Sequence, residues 1–140
     1  MNYTCKDRFH LTSEENLFLA KKLWDESLFC GMKMENRNIA FSETKAILNG
    51  INVPRVSIDD IYAVCRYRDA WKFILETLDE PLNLEYMMHV NEIVARGEAL
   101  QVGALRNGSV TFGDLAPEIP TVEEVQQTID ALKKSDVSDT

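Results

Sequence analysis

Three hydroxyl-to-acid pairs constrain the fold of this chain more than any other feature of its sequence. In each pair a Ser or Thr precedes a carboxylate by three residues: Thr12 and Glu15, Ser57 and Asp60, Thr121 and Glu124. At a helix start the two side chains of such a pair accept hydrogen bonds from backbone N–H groups that otherwise lack partners. The pattern therefore predicts three helix N-termini.

Apolar periodicity and stop signals define the helices. The first helical segment is predicted to occupy 13–36, with its regular part ending at about Met32. A short helix is expected over Phe41–Leu48, since Asn49-Gly50 favours a left-handed end. Further helices are predicted from Ser57 to the residues before Pro81, from Asn83 to Gly97, and after Thr121. The chain thus has about five predicted helices.

The segment 102–113, called the flap below, differs from the rest. It contains Asn107-Gly108, a strong signal for a two-residue hairpin turn, followed by the β-prone run Val110-Thr111-Phe112. We expect a small β-hairpin there and a frayed tail at 135–140. The predicted fold class is mainly all-α, and residues 1–140 are expected to form a single domain, which such a length fits.

Charge and composition exclude several classes of function. The formal net charge is −8, so nucleic acid held by phosphate contacts is not an expected partner. The sequence has no apolar run near the roughly 20 residues of a membrane span, and its start has no signal-peptide core. A cytoplasmic location is expected. Cys5, Cys30 and Cys65 are too widely spaced to predict a disulfide framework or a zinc site.

The sequence predicts neither a catalytic residue nor a metal site. His10 and His89 are far apart, and neither lies at a metal-binding spacing from a Cys or a carboxylate. The adjacent acidic pairs fall in predicted first helical turns, where they favour the helix dipole. No glycine-rich phosphate loop is present, and no cofactor is expected in this chain.

Four segments, in order, resemble the Fic (Fido) family. Glu35–Thr44, "ENRNIAFSET", is similar to a family segment that reads roughly EGNxLTLxET. Leu82–Gly97 resembles the helix before the family's flap, Val102–Phe112 resembles the flap itself, and Pro117–Leu132 resembles the connector and helix that follow. The resemblance covers about residues 13–134.

The resemblance implies a role for each matched residue. Glu35 and Asn36 match the last two positions of the inhibitory motif [S/T]xxxE[G/N], in which the glutamate holds an active-site arginine and keeps ATP from seating productively. Gly103 and Arg106 match the start of the target-docking flap. Its second strand, which binds the target segment by strand addition, is matched by Val110, Thr111 and Phe112. The family's activity is transfer of AMP from ATP to a protein hydroxyl, so ATP and Mg²⁺ are implied for the complete domain.

The sequence departs from the family in two ways. Gly31 stands where the inhibitory motif has Ser or Thr, and the catalytic motif HxFx[D/E]GNxR is absent. We therefore expect a regulatory and target-docking part without catalytic activity of its own, with a target protein or the missing catalytic segment as partner. Two alternatives remain open at this point. The first is that the chain is a catalytically inactive interaction module, which could form a homo-oligomer. The second is that it is an unrelated small helical binding domain.

Overall fold

The structure is a computed structural model that describes residues 8–134. The predicted tail at 135–140 and Cys5 lie outside these residues. Within 8–134 the chain forms six α-helices: α1 Ser13–Lys22, α2 Trp24–Met34, α3 Phe41–Leu48, α4 Ile58–Glu76, α5 Leu84–Ala95 and α6 Val122–Lys134. In this part of the chain, none of the helices has the length and apolar character needed to cross a membrane.

The three predicted helix starts are confirmed. In each pair the Ser or Thr hydroxyl oxygen accepts a hydrogen bond from the N–H of the acidic residue: Glu15 to Thr12 at 3.2 Å, Asp60 to Ser57 at 3.1 Å and Glu124 to Thr121 at 3.2 Å. The bonds that Thr121 donates to the Glu124 carboxylate from its backbone and its side chain lower the pKa of Glu124. The charged carboxylate is thus the form that this cap favours.

The first predicted helix is two helices. It breaks at Leu23 (φ −103°, ψ 12°), which ends α1 and precedes α2. Two residues later the carboxylate of Asp25 accepts the N–H of Glu26 at 3.0 Å, a local bond typical of a helix start. The periodic apolar pattern continues across the break, so periodicity alone did not reveal it.

The predicted β-hairpin in the flap is not seen. Among residues 8–134 the β-type pairing is one isolated bridge, between Phe112 and Leu115. Asn107 and Gly108 lack the positive φ that a type I′ turn needs, whereas Gly103 (φ +62°) and Gly113 (φ +60°) have it. Gly113 lies between the two bridged residues and supplies the tight turn instead.

The core lies where α2, α3 and α4 meet. Its buried members come from α2, the α2–α3 connection, α3 and α4: Met32, Ile39, Ile47, Ala63 and Val64. Helix α5 packs along α4, and α6 contacts α5. Helix α4 therefore lies between the α2–α3 pair and α5, and α6 lies at the edge of the structure.

Gly31 allows α2 and α4 to approach closely. A Cβ atom at residue 31 would lie 2.7 Å from Cε1 and 3.1 Å from Cδ1 of Tyr67. Both distances are shorter than normal van der Waals contact, and the Tyr67 ring itself packs against the core. The ring of Tyr67 thus occupies the space that a Ser or Thr side chain at residue 31 would need.

We expect Gly31→Ser to destabilise the fold by about 1–2 kcal/mol. Overpacking a well-packed contact costs about 1–3 kcal/mol, and the better helix propensity of Ser returns part of this. Thermal and urea unfolding measure the change. Gly108→Ser is the matched control, because nothing lies within 4 Å of a Cβ there. Equal stability of the two variants would contradict the close approach.

Candidate functional site

Glu35 lies at the C-terminal end of α2, in a turn that Asn36 makes possible. Asn36 has φ +54°; its N–H donates to the Lys33 carbonyl and the N–H of Arg37 donates to the Met32 carbonyl, both at 3.0 Å. These two bonds form a Schellman motif, whose left-handed position favours Gly or Asn. The side chain of Glu35 is exposed, so its carboxylate is open to a partner.

The turn directs Arg37 back onto the protein. Its Nη1 atom donates to Asp60 Oδ1 of α4 at 3.2 Å, and its Nη2 atom donates to Glu98 Oε1, just beyond α5. The same Glu98 oxygen accepts from Nη2 of Arg66, also on α4. We call Arg37, Arg66 and Glu98 the Glu98 cluster. It connects the end of α2, the middle of α4 and the residues after α5.

The cluster is half-buried, and its charges affect one another. The side chains of Arg37 and Arg66 are 21% and 19% exposed and that of Glu98 is 42% exposed. Burial alone would lower the pKa of Arg37, but hydrogen bonds and charge attraction from Glu98 and Asp60 outweigh it and raise that pKa. Arg37 is therefore firmly held as a cation.

The pKa of Tyr67 responds to the charge of Glu35 and to the charges of the Glu98 cluster. Partial burial raises the pKa of Tyr67, the negative charges of Glu35 and Glu98 raise it further, and Arg37 and Arg66 oppose them. Glu35 and the Glu98 cluster thus act electrostatically on the same ring.

The start of the flap is fixed to α5. The N–H of Gly103 donates to Oδ1 of Asn91 at 3.1 Å, and the positive φ of Gly103 turns the chain there. A Cβ atom at residue 103 would lie 3.3 Å from Cβ of Glu92. Both the conformation and the close packing favour glycine at this position.

Arg106 organises the loop that contains it. Its Nη1 atom donates to the Gly108 carbonyl at 3.1 Å, and its Nη2 atom donates to the carbonyls of Pro117 and Glu118 at 3.2 and 2.5 Å. The guanidinium therefore ties the flap to the connector before α6. In this arrangement it contacts the chain's own backbone.

The second half of the flap borders an open groove. Thr111 and Phe112 are exposed, Phe112 by 69%, and Val110 is partly buried. The groove has a volume of about 740 Å³; its lining includes Asn91, Leu100 and Val110. Val110 lines the groove, and the exposed aromatic side chain of Phe112, two residues further on, suits contact with another polypeptide.

The histidine of α5 and the acidic side chains of the described residues were the remaining candidates for a metal site or for acid–base chemistry. No group of three or more His, Cys, Asp or Glu side chains there is placed to hold a metal ion. His89 packs edge-on against Phe73 with ring centroids 4.7 Å apart, and its Nδ1 atom lies 3.6 Å from Glu92. Its surroundings are those of a packed surface histidine.

The structure keeps the predicted site residues in two groups and connects them through residues that the sequence analysis did not select. Glu35 and Asn36 end α2, whereas the flap residues follow α5. Arg37, Arg66 and Glu98 join the two regions. Their positions, 37, 66 and 98, carry no spacing signal, and only the fold brings them together.

The comparisons with known proteins concern the fold. No protein-family model matches the chain, and no curated protein matches its sequence. The structure is similar to the crystal structure of a Fic family protein from Desulfovibrio desulfuricans G20, with a TM-score of 0.69 and 17% sequence identity. The similarity covers 92% of this chain and 42% of that protein. The chain therefore has a mainly all-α, Fic-like fold and spans less than half the length of that Fic family protein.

We expect Glu35→Gln to lower the pKa of Tyr67. Removing the negative charge stabilises the ionised phenolate, so its titration moves to lower pH. A pH titration followed by NMR of ¹³C-labelled tyrosine measures the change, with Glu26→Gln on the same helix as the control. An unchanged Tyr67 pKa would mean that the Glu35 carboxylate does not act on this ring.

Proposed function

We propose that this chain is the regulatory and target-docking part of a Fic-type protein that transfers AMP from ATP to a protein hydroxyl. In this proposal another segment supplies the motif HxFx[D/E]GNxR and, with it, the binding of ATP and Mg²⁺. The observation that carries the proposal is the fold likeness, which takes in almost the whole chain and under half of the Fic family protein. The cytoplasm is the proposed location.

Glu35 is the proposed inhibitory residue. Its carboxylate is exposed at a helix end closed by two backbone hydrogen bonds, and a carboxylate forms strong charge-assisted hydrogen bonds with an arginine. An arginine held in this way cannot bind the ATP phosphates. The neighbouring Asn36 gives the turn that ends the helix directly after Glu35.

Exposed apolar side chains on α6 support the proposal that a partner segment packs against this helix. Ile129 is buried against the rest of the structure, whereas Val122 and Leu132 on the same stripe are 56% and 47% exposed. Leu115 and Ile119, in the connector before α6, are also exposed. A surface of this kind favours burial against another segment, and the catalytic segment is the proposed occupant.

The flap is the proposed docking site for the target protein. Val110, Thr111 and Phe112 are the residues expected to pair with an extended target segment. Gly103 and Arg106 are proposed to position them, because each fixes the loop through backbone contacts. The flap has no hairpin, so strand addition would order it as the target binds.

The same exposed surface favours a second candidate function. A non-catalytic interaction module would cover the apolar side of α6 with a second copy of the chain or with another protein. Such a homo-oligomer would need no catalytic segment. The two candidates differ in whether a partner bearing HxFx[D/E]GNxR exists and binds.

The test is an AMP-transfer assay with α-labelled ATP and Mg²⁺. We expect no labelling by residues 1–140 alone, and labelling of a protein hydroxyl when the catalytic segment is present, whether it follows residue 140 or is a separate chain. Glu35→Gly should raise the rate about 10- to 100-fold, because a hydrogen bond to a charged group contributes about 1.5–3 kcal/mol. Glu26→Gly on the same helix is the control.

Two results would contradict the proposal. One is AMP transfer by residues 1–140 alone. The other is a stable homo-oligomer, in a genome that encodes no HxFx[D/E]GNxR segment that binds this chain. The second result would support the interaction module.

A further inference from the structure

Side-chain contacts join the turn that carries Glu35 to the residues before the flap. Arg37, two residues after Glu35, donates to Glu98 Oε1. That oxygen also accepts from Arg66 of α4. One carboxylate therefore lies between two guanidinium groups, from parts of the chain that are distant in sequence.

Glu98 is itself fixed to the end of α5. Its N–H donates to the Ala95 carbonyl at 3.0 Å, directly after the left-handed turn at Gly97. The same helix holds the first turn of the flap, through the bond from the Gly103 N–H to Asn91. Glu98 and the first turn of the flap are thus both attached to the C-terminal part of α5.

The Glu98 cluster is more than an exposed ion pair. Exposed pairs contribute little, but Arg37 and Arg66 are half-buried, and removing Glu98 would leave two cations facing each other. A free anion is a poor substitute for Glu98, because Asp59 lines the same pocket as the two arginines and Asp60 is already paired with Arg37. The arrangement favours a contact within the chain.

We propose that Glu98 is a positioning residue for Glu35. It holds the turn at the end of α2 against the end of α5, and so couples the position of Glu35 to the state of the flap. The physical coupling is independent of the proposed function, whereas its consequence for AMP transfer rests on that function. A target on the flap would then shift Glu98 and, with it, Glu35.

Amide hydrogen exchange of the purified chain tests the coupling directly. Two amides are the probes: Arg37 N–H, bound to the Met32 carbonyl, and Gly103 N–H, bound to Asn91. In Glu98→Gln we expect both to exchange at least about fivefold faster, the factor for roughly 1 kcal/mol of local stability. Exposed Glu118 provides the control Glu118→Gln, which should stay within about twofold of the wild type.

Arg37→Gln distinguishes coupling from a local effect. Arg37 is far from the flap in sequence, yet its loss should speed exchange at Gly103 as Glu98→Gln does. The effect of the double variant on exchange should be less than the sum of the two single effects, because both substitutions remove the Arg37–Glu98 contact. Wild-type exchange at Gly103 in Arg37→Gln, or additive effects in the double variant, would overturn the proposal.

AMP transfer by the reconstituted protein tests the positioning role. Glu98→Gln should raise the rate in the wild-type background and should add nothing in the Glu35→Gly background. A rate that responds to Glu35→Gly but not to Glu98→Gln would overturn the role of Glu98. If exchange responds as expected and no AMP transfer occurs, the coupling stands and the proposed function fails.

Discussion

The close contact between α2 and α4 at Gly31 is the constraint on which the rest of the structure depends. The Tyr67 ring lies where a side chain at residue 31 would be. This approach brings Met32 into full burial against Val64 and the rest of the core. Because Met32 also accepts the bond that closes the turn after α2, the same packing fixes where the helix ends. The core therefore places the turn that carries Glu35, and Arg37 attaches the same turn to Asp60 and Glu98.

This packing gives the departure at Gly31 a physical meaning. The inhibitory motif that Glu35 and Asn36 resemble has a hydroxyl residue four positions before its glutamate, whereas here the ring of Tyr67 fills the space that such a side chain would need. Orientation of Glu35 can then come from the Schellman turn at Asn36 and from the contacts of Arg37 with Asp60 and Glu98. The helix end is therefore supported without a hydroxyl side chain at residue 31.

Local signals predicted those elements that local interactions determine. The helix caps, the short helix Phe41–Leu48 and the end of α5 near Gly97 follow from bonds between residues a few positions apart. The break at Leu23 and the lack of a hairpin in the flap do not follow from such local bonds. Asn107-Gly108 is a strong turn signal, but a hairpin also needs two arms that meet, and Gly103 and Arg106 bind elsewhere. Tertiary contacts thus override the turn preference.

The candidate site was predictable only in part, for a related reason. Glu35, Asn36 and the flap residues stand in short segments that a resemblance can identify. The Glu98 cluster depends on α5 packing along α4, which brings residues 37, 66 and 98 together without any linear pattern. In an acidic chain the two arginines of this cluster have many carboxylates nearby in sequence, and the fold selects Glu98 as the one they share. The turn that carries Glu35 is consequently held by the core, through the Met32 carbonyl, and by Glu98, through Arg37.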